Sequence, residues 1–180
     1  DNAGLAIAML RHQQAIQVSK AALAEALSAA RWPARLSRLA PGPLADLLSA
    51  GSTIWLDGAH NPAAMAAVVR HMRGEIEARQ RLHIVIGLLK DKDASGVLAC
   101  FERLDCTIRT VPITGHEARS AEELAELANG MGLRAASYES VSAAMHDIAR
   151  ECAGQAAKVL ITGSLYLAGQ VLRANGEIPD

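Results

Sequence analysis

The chain has 180 residues, 51% of them apolar and only 3% aromatic, with a formal net charge of −1. That length allows one full domain and part of another, and a core of Ala, Leu, Val and Ile suits helices packed on a sheet by small side chains. Lys and Arg are scattered rather than clustered, so nothing electrostatic favours a nucleic-acid partner or an anionic membrane surface.

Cys100, Cys106 and Cys152 are odd in number and lack CxxC spacing. They read as reduced thiols of a cytoplasmic protein, not as a disulfide framework or zinc site. No apolar run approaches the roughly 20 residues that cross a bilayer. The chain does not open on Met, and no charged segment precedes an apolar one, so Asp1 is expected to begin a fragment.

In chain order, residues 3–14 read as a helix with Asp1 or Asn2 as N-cap. Ser19 caps a second helix, Lys20 to Ala30. Two helices with no strand between them do not start a βαβ pattern, so residues 1–30 are expected to be the tail of a preceding domain. Trp32-Pro33 breaks the helical run, Arg35 to Leu39 reads as a short strand, and Pro41-Gly42-Pro43 is loop chemistry. The interdomain linker is placed at 31–43.

From residue 44 to 180 strands and helices alternate. Ile54 to Leu56 is a strand, and Pro62 to about Arg79 a helix with Pro at its first position. Leu82 to Leu88 is a buried strand that exits tightly at Gly87. Asp93 caps a helix from Ala94 to Leu104. Cys106 to Ile113 is a strand. Ser120 to Met131 is a helix with a capping box to Glu123 and Gly132 as its stop. Ala135 to Tyr138 is a short strand, Val141 to Ala153 a helix, Lys158 to Thr162 a strand, and Ser164 to Arg173 the last helix. Five strands separated by helices, several of them continuous apolar runs, predict an α/β fold: a mostly parallel, Rossmann-like sheet with helices on both faces.

The chain is organised around Thr53 to Pro62, TIWLDGAHNP. An acid, an imidazole and a helix N-terminus follow the end of a strand, where open α/β sheets bind ligands. Asp57 has the chemistry to accept from a ribose hydroxyl, the helix start to bind an anion, and His60 to donate to a phosphate or to position a nucleophile. The residues alone support a second reading equally: Asp57 and Asn61 cap the helix and His60 is a surface residue. In GLLKDKD, Lys90 or Lys92 is placed to meet a phosphate or carboxylate, or is simply solvated while Asp93 caps the next helix. TGSLYLAG opens a helix at Ser164 but lacks the spacing of the dinucleotide fingerprint. His116 reads as an exposed loop residue. Arg35 is placed either to reach a nucleotide between domains or to form a surface ion pair. No histidine pair has metal-site spacing.

WPARL, DGAHNP, GLLKDKD and TGSLYLAG, in that order, resemble the C-terminal part of bacterial folylpolyglutamate synthase/dihydrofolate synthase, the FolC type of the Mur ligase superfamily. DNAGLAIAML resembles the end of that family's central ATPase domain. One departure is Ala34, where the family carries Gly in WPGR. The resemblance implies an ATP-dependent ligase that activates a folate or dihydropteroate carboxyl as an acyl phosphate and joins it to L-glutamate. It implies that Asn2, Arg35 and Asp57 approach ATP, Asp57 on the ribose side, and that His60 lies near the phosphates or the glutamate and is catalytic. Asn61, Lys90 and Ser164 are candidate glutamate or phosphate contacts. The resemblance places Mg2+ ligands, and the P-loop domain against which residues 31–43 would hinge, upstream, so no metal ligand is expected here. No GxxxxGK[ST] occurs in these residues. It also implies a cytoplasmic monomer, and a fragment inactive by itself. Two other readings stay open: another Mur-type amino-acid ligase, and a non-catalytic α/β nucleotide-binding module.

Overall fold

The computed structural model describes residues 2–30, 32–76 and 80–177, without the side chains of Asn2, Ala3, Leu27 and Ser28. Its contacts divide the chain into two units, Asp1–Trp32 and Pro33–Asp180. The first holds α1 (Asn2–His12) and α2 (Lys20–Ala29). Ser19 caps α2 by accepting from the Ala22 N–H at 3.1 Å. Gln13 ends α1: its side chain donates to the Leu10 carbonyl and accepts from the Ile16 N–H, which turns the backbone away from the helix. The expected N-cap Asp1 lies outside the described residues.

In the second unit, six strands lie in the order β1-β2-β6-β3-β4-β5. β2 (Thr53–Leu56), β3 (Leu82–Ile86), β4 (Cys106–Thr110), β5 (Ala135–Ser137) and β6 (Lys158–Thr162) are mutually parallel. β1 (Ser37–Arg38) pairs antiparallel with β2 at the edge. The expected α/β architecture is therefore present. Alternation along the strands sends Trp55, Ile84, Ile108 and Leu160 to one face, under α3 (Pro62–Glu75), α4 (Ala94–Ala99) and α5 (Ala121–Gly130). Ile54, Val85, Val159 and Ile161 face the other way, under α6 (Val141–Cys152) and α7 (Leu165–Ala174). A 3₁₀ turn at Ala45–Leu47 completes that second layer.

The topology follows from a single crossover hand. From β2 through β3 and β4 to β5 the chain advances in one direction, so α3, α4 and α5 share a face. The return from β5 to β6 reverses direction, and α6 falls on the opposite face. β6 thereby enters between β2 and β3. Its exit loop leads to α7 on one face, while the exits of its neighbours lead to α3 and α4 on the other. Loops that part in this way leave a crevice at the carboxyl ends of the strands.

Several element boundaries differ from expectation; β3 and β4 end at Ile86 and Thr110, short of the expected Leu88 and Ile113. α4 stops at Ala99, because Phe101 is fully buried and the backbone reaches it through tight turns, Phe101 N–H to Leu98 O at 2.9 Å and Leu104 N–H to Phe101 O at 2.9 Å. α3 ends at Glu75, where Ile76 turns extended; the expected end at Arg79 lies outside the described residues. Within 33–43, the second unit gains β1 and a loop that the buried Asn175 ties down. Its Oδ1 accepts from the Leu44 N–H and its Nδ2 donates to Ala40 O.

Candidate functional site

β2 delivers Asp57 to the carboxyl edge, where the residue is 6% exposed. One carboxylate oxygen accepts from the Ala59 N–H at 2.7 Å and the other from the Leu36 N–H at 2.8 Å. Asp57 therefore does not cap α3. Asn61 does, accepting from the Ala64 N–H at 2.9 Å. Pro62 has no N–H, and the Met65 N–H is taken by Asn61 O, so the helix keeps its dipole but few open donors for an anion. At Gly58 a Cβ would displace the side chain of Leu165. His60 is half-buried, and its Nδ1 lies 2.8 Å from Gly58 O. A carbonyl only accepts, so Nδ1 carries a proton, and in the neutral tautomer this leaves Nε2 as an acceptor.

Arg35 sits on the turn that Asp57 grips. Its neighbours Ala34 and Leu36 are both left-handed, with φ of 57° and 47°. The Ala34 carbonyl accepts from the Gly58 N–H at 2.8 Å, and the Ala34 N–H donates to Ser37 Oγ at 3.1 Å. The family's Gly at position 34 now has a physical reason: only Gly takes this conformation without a steric penalty. Arg35 itself is exposed and makes no ion pair among the described residues.

β6 brings Gly163 and Ser164 to the same edge. Gly163 has φ of 106°, and a Cβ there would strike Gly87 O. Ser164 is buried and caps α7, accepting from the Tyr166 N–H at 3.1 Å and keeping its own O–H as a donor. The loop after β3 pairs with the loop after β4: Lys90 N–H donates to Glu117 O at 3.1 Å and Arg119 N–H to Leu88 O at 2.9 Å. Between these loops and the start of α7 lies a cavity of about 470 Å³ lined by Leu89, Lys90, Asp91, His116, Glu117 and Tyr166. Lys90 is exposed there. A hydrogen bond from the Lys92 ammonium, 2.8 Å away, holds the Asp91 carboxyl below the usual carboxylate range.

Sequence reasoning treated His116 as an exposed loop residue and did not single out Tyr166. His116 is exposed, but its ring stacks on Tyr166 with centroids 3.6 Å apart. The available signal was scarcity. In a chain with 3% aromatics, a tyrosine two residues after the Gly-Ser that follows an apolar strand is conspicuous.

The structure thus brings Arg35, Asp57, His60 and Asn61 into one hydrogen-bonded pair of turns, with Ser164 and Lys90 on neighbouring strand exits. The Asn2 side chain lies outside the described residues. Among the described residues, no group of three or more His, Cys, Asp or Glu is placed to hold a metal ion, and no helix is long and apolar enough to cross a membrane.

Fold and site define a class: an α/β domain that carries a guanidinium, an imidazole and strand-end loops at the carboxyl edge of a mainly parallel sheet. Residues 46–165 match the Mur ligase, glutamate ligase domain. The chain belongs to the Mur ligase family. It is 30% identical over 172 residues to the dihydrofolate synthase/folylpolyglutamate synthase of Escherichia coli K12, covering 95% of this chain and 37% of that protein. The E. coli FolC structure in complex with DHPP and ADP superposes with a TM-score of 0.76 at 28% identity, covering 96% of this chain and 38% of that one. The Yersinia pestis bifunctional enzyme complexed with AMPPNP and Mn gives a TM-score of 0.73 at 26% identity, with 93% and 37% covered. The resemblance read from the four motifs is borne out, and the chain spans between 19% and 37% of the length of the curated relatives it matches.

Proposed function

We propose that the chain is the C-terminal part of a cytoplasmic, monomeric ATP-dependent amide ligase that joins L-glutamate to a folate or dihydropteroate carboxyl. The observation that carries this reading is the pair of turns at 34–36 and 57–60. They present a guanidinium with no ion pair among the described residues and an imidazole acceptor, from backbones hydrogen-bonded to each other. ATP would supply the phosphoryl group that activates the carboxyl as an acyl phosphate. Such transfer needs positioning and positive charge more than covalent help.

In this reading Arg35 binds phosphate oxygens, and Asp57 lies at the base of the arrangement on the ribose side. His60 Nε2 accepts an N–H of the incoming amine and steers its lone pair to the carboxyl carbon. Lys90, Asn61 and the Ser164 O–H are candidate contacts for glutamate or phosphate. Asn2 would approach the nucleotide from a helix that ends the central ATPase domain, with residues 31–43 as the connection. The family resemblance would place the Mg2+ ligands in the P-loop domain upstream.

In the full-length ligase, Arg35→Ala or His60→Ala is expected to lower ATP- and glutamate-dependent ligation by about 10² or more, the scale of one preorganised charge contact. Unchanged turnover in both would remove these residues from the site. The 180 residues alone are expected to bind ATP weakly and to catalyse nothing. Tight ATP binding by calorimetry on this chain would favour a non-catalytic nucleotide-binding module instead. Turnover with cell-wall precursors but not folates would indicate another Mur-type ligase.

A further inference from the structure

We infer that the stacked rings of His116 and Tyr166 form a specificity wall for the incoming amino acid, with the methylenes of its side chain lying against them. This role rests on the ligase reading above, in which neither residue yet has a task. The pair stands at the cavity of about 470 Å³ between the β3 and β4 exit loops and the start of α7. The ring centroids lie 3.6 Å apart, with planes inclined by 26°. His116 is exposed, Tyr166 is 50% exposed and Leu165 before it 45%. Apolar surface is thus left open at the strand-end edge where α/β sheets bind ligands.

The stack is not what holds the loops. Gly115 takes a left-handed φ of 78° and turns the chain just before His116. Gln170 on α7 donates to Thr114 O at 3.0 Å, and Leu89 bridges Ala118. Together with the hydrogen bonds from Lys90 N–H to Glu117 O and from Arg119 N–H to Leu88 O, these ties fix the loop already. The two rings stay open although their backbone is anchored, so their faces are free to meet a ligand.

The chemistry of the cavity selects that ligand. Lys90 is exposed and makes no ion pair among the described residues, whereas Lys92 is held by Asp91. One uncommitted ammonium beside flat rings suits a short aliphatic chain that ends in a carboxylate. The cavity also adjoins the His60 turn. Leu165 occupies the space where a Gly58 Cβ would stand, and the His60 charge acts on the Asp91 carboxyl. An amino acid whose amine meets His60 can therefore extend its side chain between Lys90 and the stacked rings.

The test uses the full-length ligase with Tyr166→Ala, Tyr166→Phe, His116→Ala and the double alanine variant. In Tyr166→Ala the Michaelis constant for L-glutamate should rise about tenfold, the scale of one methylene contact in a pocket, while that for ATP stays within about twofold. At saturating glutamate kcat should stay within about threefold, because the wall touches the side chain alike in the ground and transition states. The preference for L-glutamate over L-aspartate, one methylene shorter, should shrink about tenfold in kcat/KM. Tyr166→Phe keeps the ring and should keep both properties. His116→Ala should show part of the loss and add less than about threefold to Tyr166→Ala, as expected for residues that act as one unit. An unchanged glutamate constant in Tyr166→Ala overturns the proposal. So does an unchanged preference over aspartate, or an ATP constant that rises as far as the glutamate constant.

Equilibrium dialysis of L-glutamate against the full-length protein separates the wall from the functional reading. If the wild-type protein joins no amino acid to a folate or dihydropteroate, the functional reading fails. Glutamate binding that weakens in Tyr166→Ala but not in Tyr166→Phe would then still establish the wall, and binding that is absent or indifferent to both substitutions would overturn it.

Discussion

Replacing Arg109 by methionine is the sharpest test of what holds the α6 face together. The Arg109 side chain is 4% exposed. Its guanidinium donates to Asp147 Oδ2 at 3.0 Å from Nε, to Thr107 Oγ1 at 3.0 Å, and to Glu151 Oε2. Asp147 also accepts from the Tyr138 O–H at 2.6 Å and from Arg150 at 2.7 Å. Removing one partner of a fully buried pair costs about 3–5 kcal/mol. Here the stranded carboxylates are 24% and 35% exposed and keep other donors, so water screens part of the loss and about 2–3 kcal/mol is expected. Methionine retains most of the aliphatic volume, so packing contributes little. At about 2–4 °C per kcal/mol for a domain of this size, the unfolding midpoint should fall by about 5–10 °C.

The pH dependence identifies the cause. Burial pulls the Asp147 carboxyl upward, but hydrogen bonds from Tyr138 and Arg109, the Arg109 charge and Arg150 together bring it below the usual range. Glu151 follows the same pattern: burial is outweighed by Arg109, His83 and Arg81. Carboxyls lowered in the folded state contribute stability above their unfolded values, and that stability is lost as pH falls through the folded ones. His83 is pushed down by burial and by Arg109. Below its ordinary value of 6.5 the unfolded chain takes a proton that the folded chain declines, so His83 also costs stability as pH falls. Urea unfolding followed by circular dichroism should therefore show the Arg109→Met cost shrinking between pH 7 and pH 3, below the ordinary carboxyl values of 3.8 and 4.5. A cost below about 1 kcal/mol at pH 7, or one equal at both pH values, would refute the reasoning.

Two further outcomes follow from single residues. Gly163→Ala should destabilise the second unit by about 3 kcal/mol or more, because the strain of a left-handed residue adds to a clash with the Gly87 carbonyl; a thermal midpoint within 2–3 °C of wild type, a shift worth about 1 kcal/mol, would contradict it. Burial lifts the Cys106 thiol to about 11, so it stays protonated at neutral pH and should resist iodoacetamide in the native chain. Mass spectrometry showing Cys106 labelled as fast as unfolded protein would contradict that.

The parts of the fold legible in sequence are those whose signals are local. β6 runs from Lys158 to Thr162 as expected, since a polar residue opens the apolar run and Gly163 closes it. α5 starts at the expected capping box, with both hydrogen bonds between Ser120 and Glu123 present, and ends at Gly130, just ahead of the expected stop Gly132, whose φ is 80°. The early end of α4 is not local: helix formers continue through Leu104, and the demand comes from the pocket that takes Phe101. Strand order is longer-range still. No residue of β6 marks it for insertion between β2 and β3, because parallel pairing is settled by crossovers and not by neighbours. The Arg109 network was hidden for the same reason. Alternation turns Arg109 away from Ile108 and Thr110, but only the packing of α6 brings Asp147 and Glu151, one helical turn apart, to receive it.

At the site, the motif DGAHNP supported both a ligand corner and a capped helix, and the structure divides those tasks among its residues. Asn61 caps the helix. Asp57 spends its carboxylate on Leu36, a residue 21 positions earlier, and no local pattern could announce that partner. Ala34 was visible as a departure from the family's Gly, and its φ of 57° explains why Gly belongs there. Leu36 was not visible at all, since nothing about a leucine predicts a left-handed backbone. Each such residue costs about 1–2 kcal/mol, and the two hydrogen bonds to the 57–58 segment are what offset it. The strain and the placement of Arg35 are therefore one feature. A turn relaxed to ordinary φ would release the Leu36 N–H from Asp57, and the guanidinium would lose its fixed relation to His60.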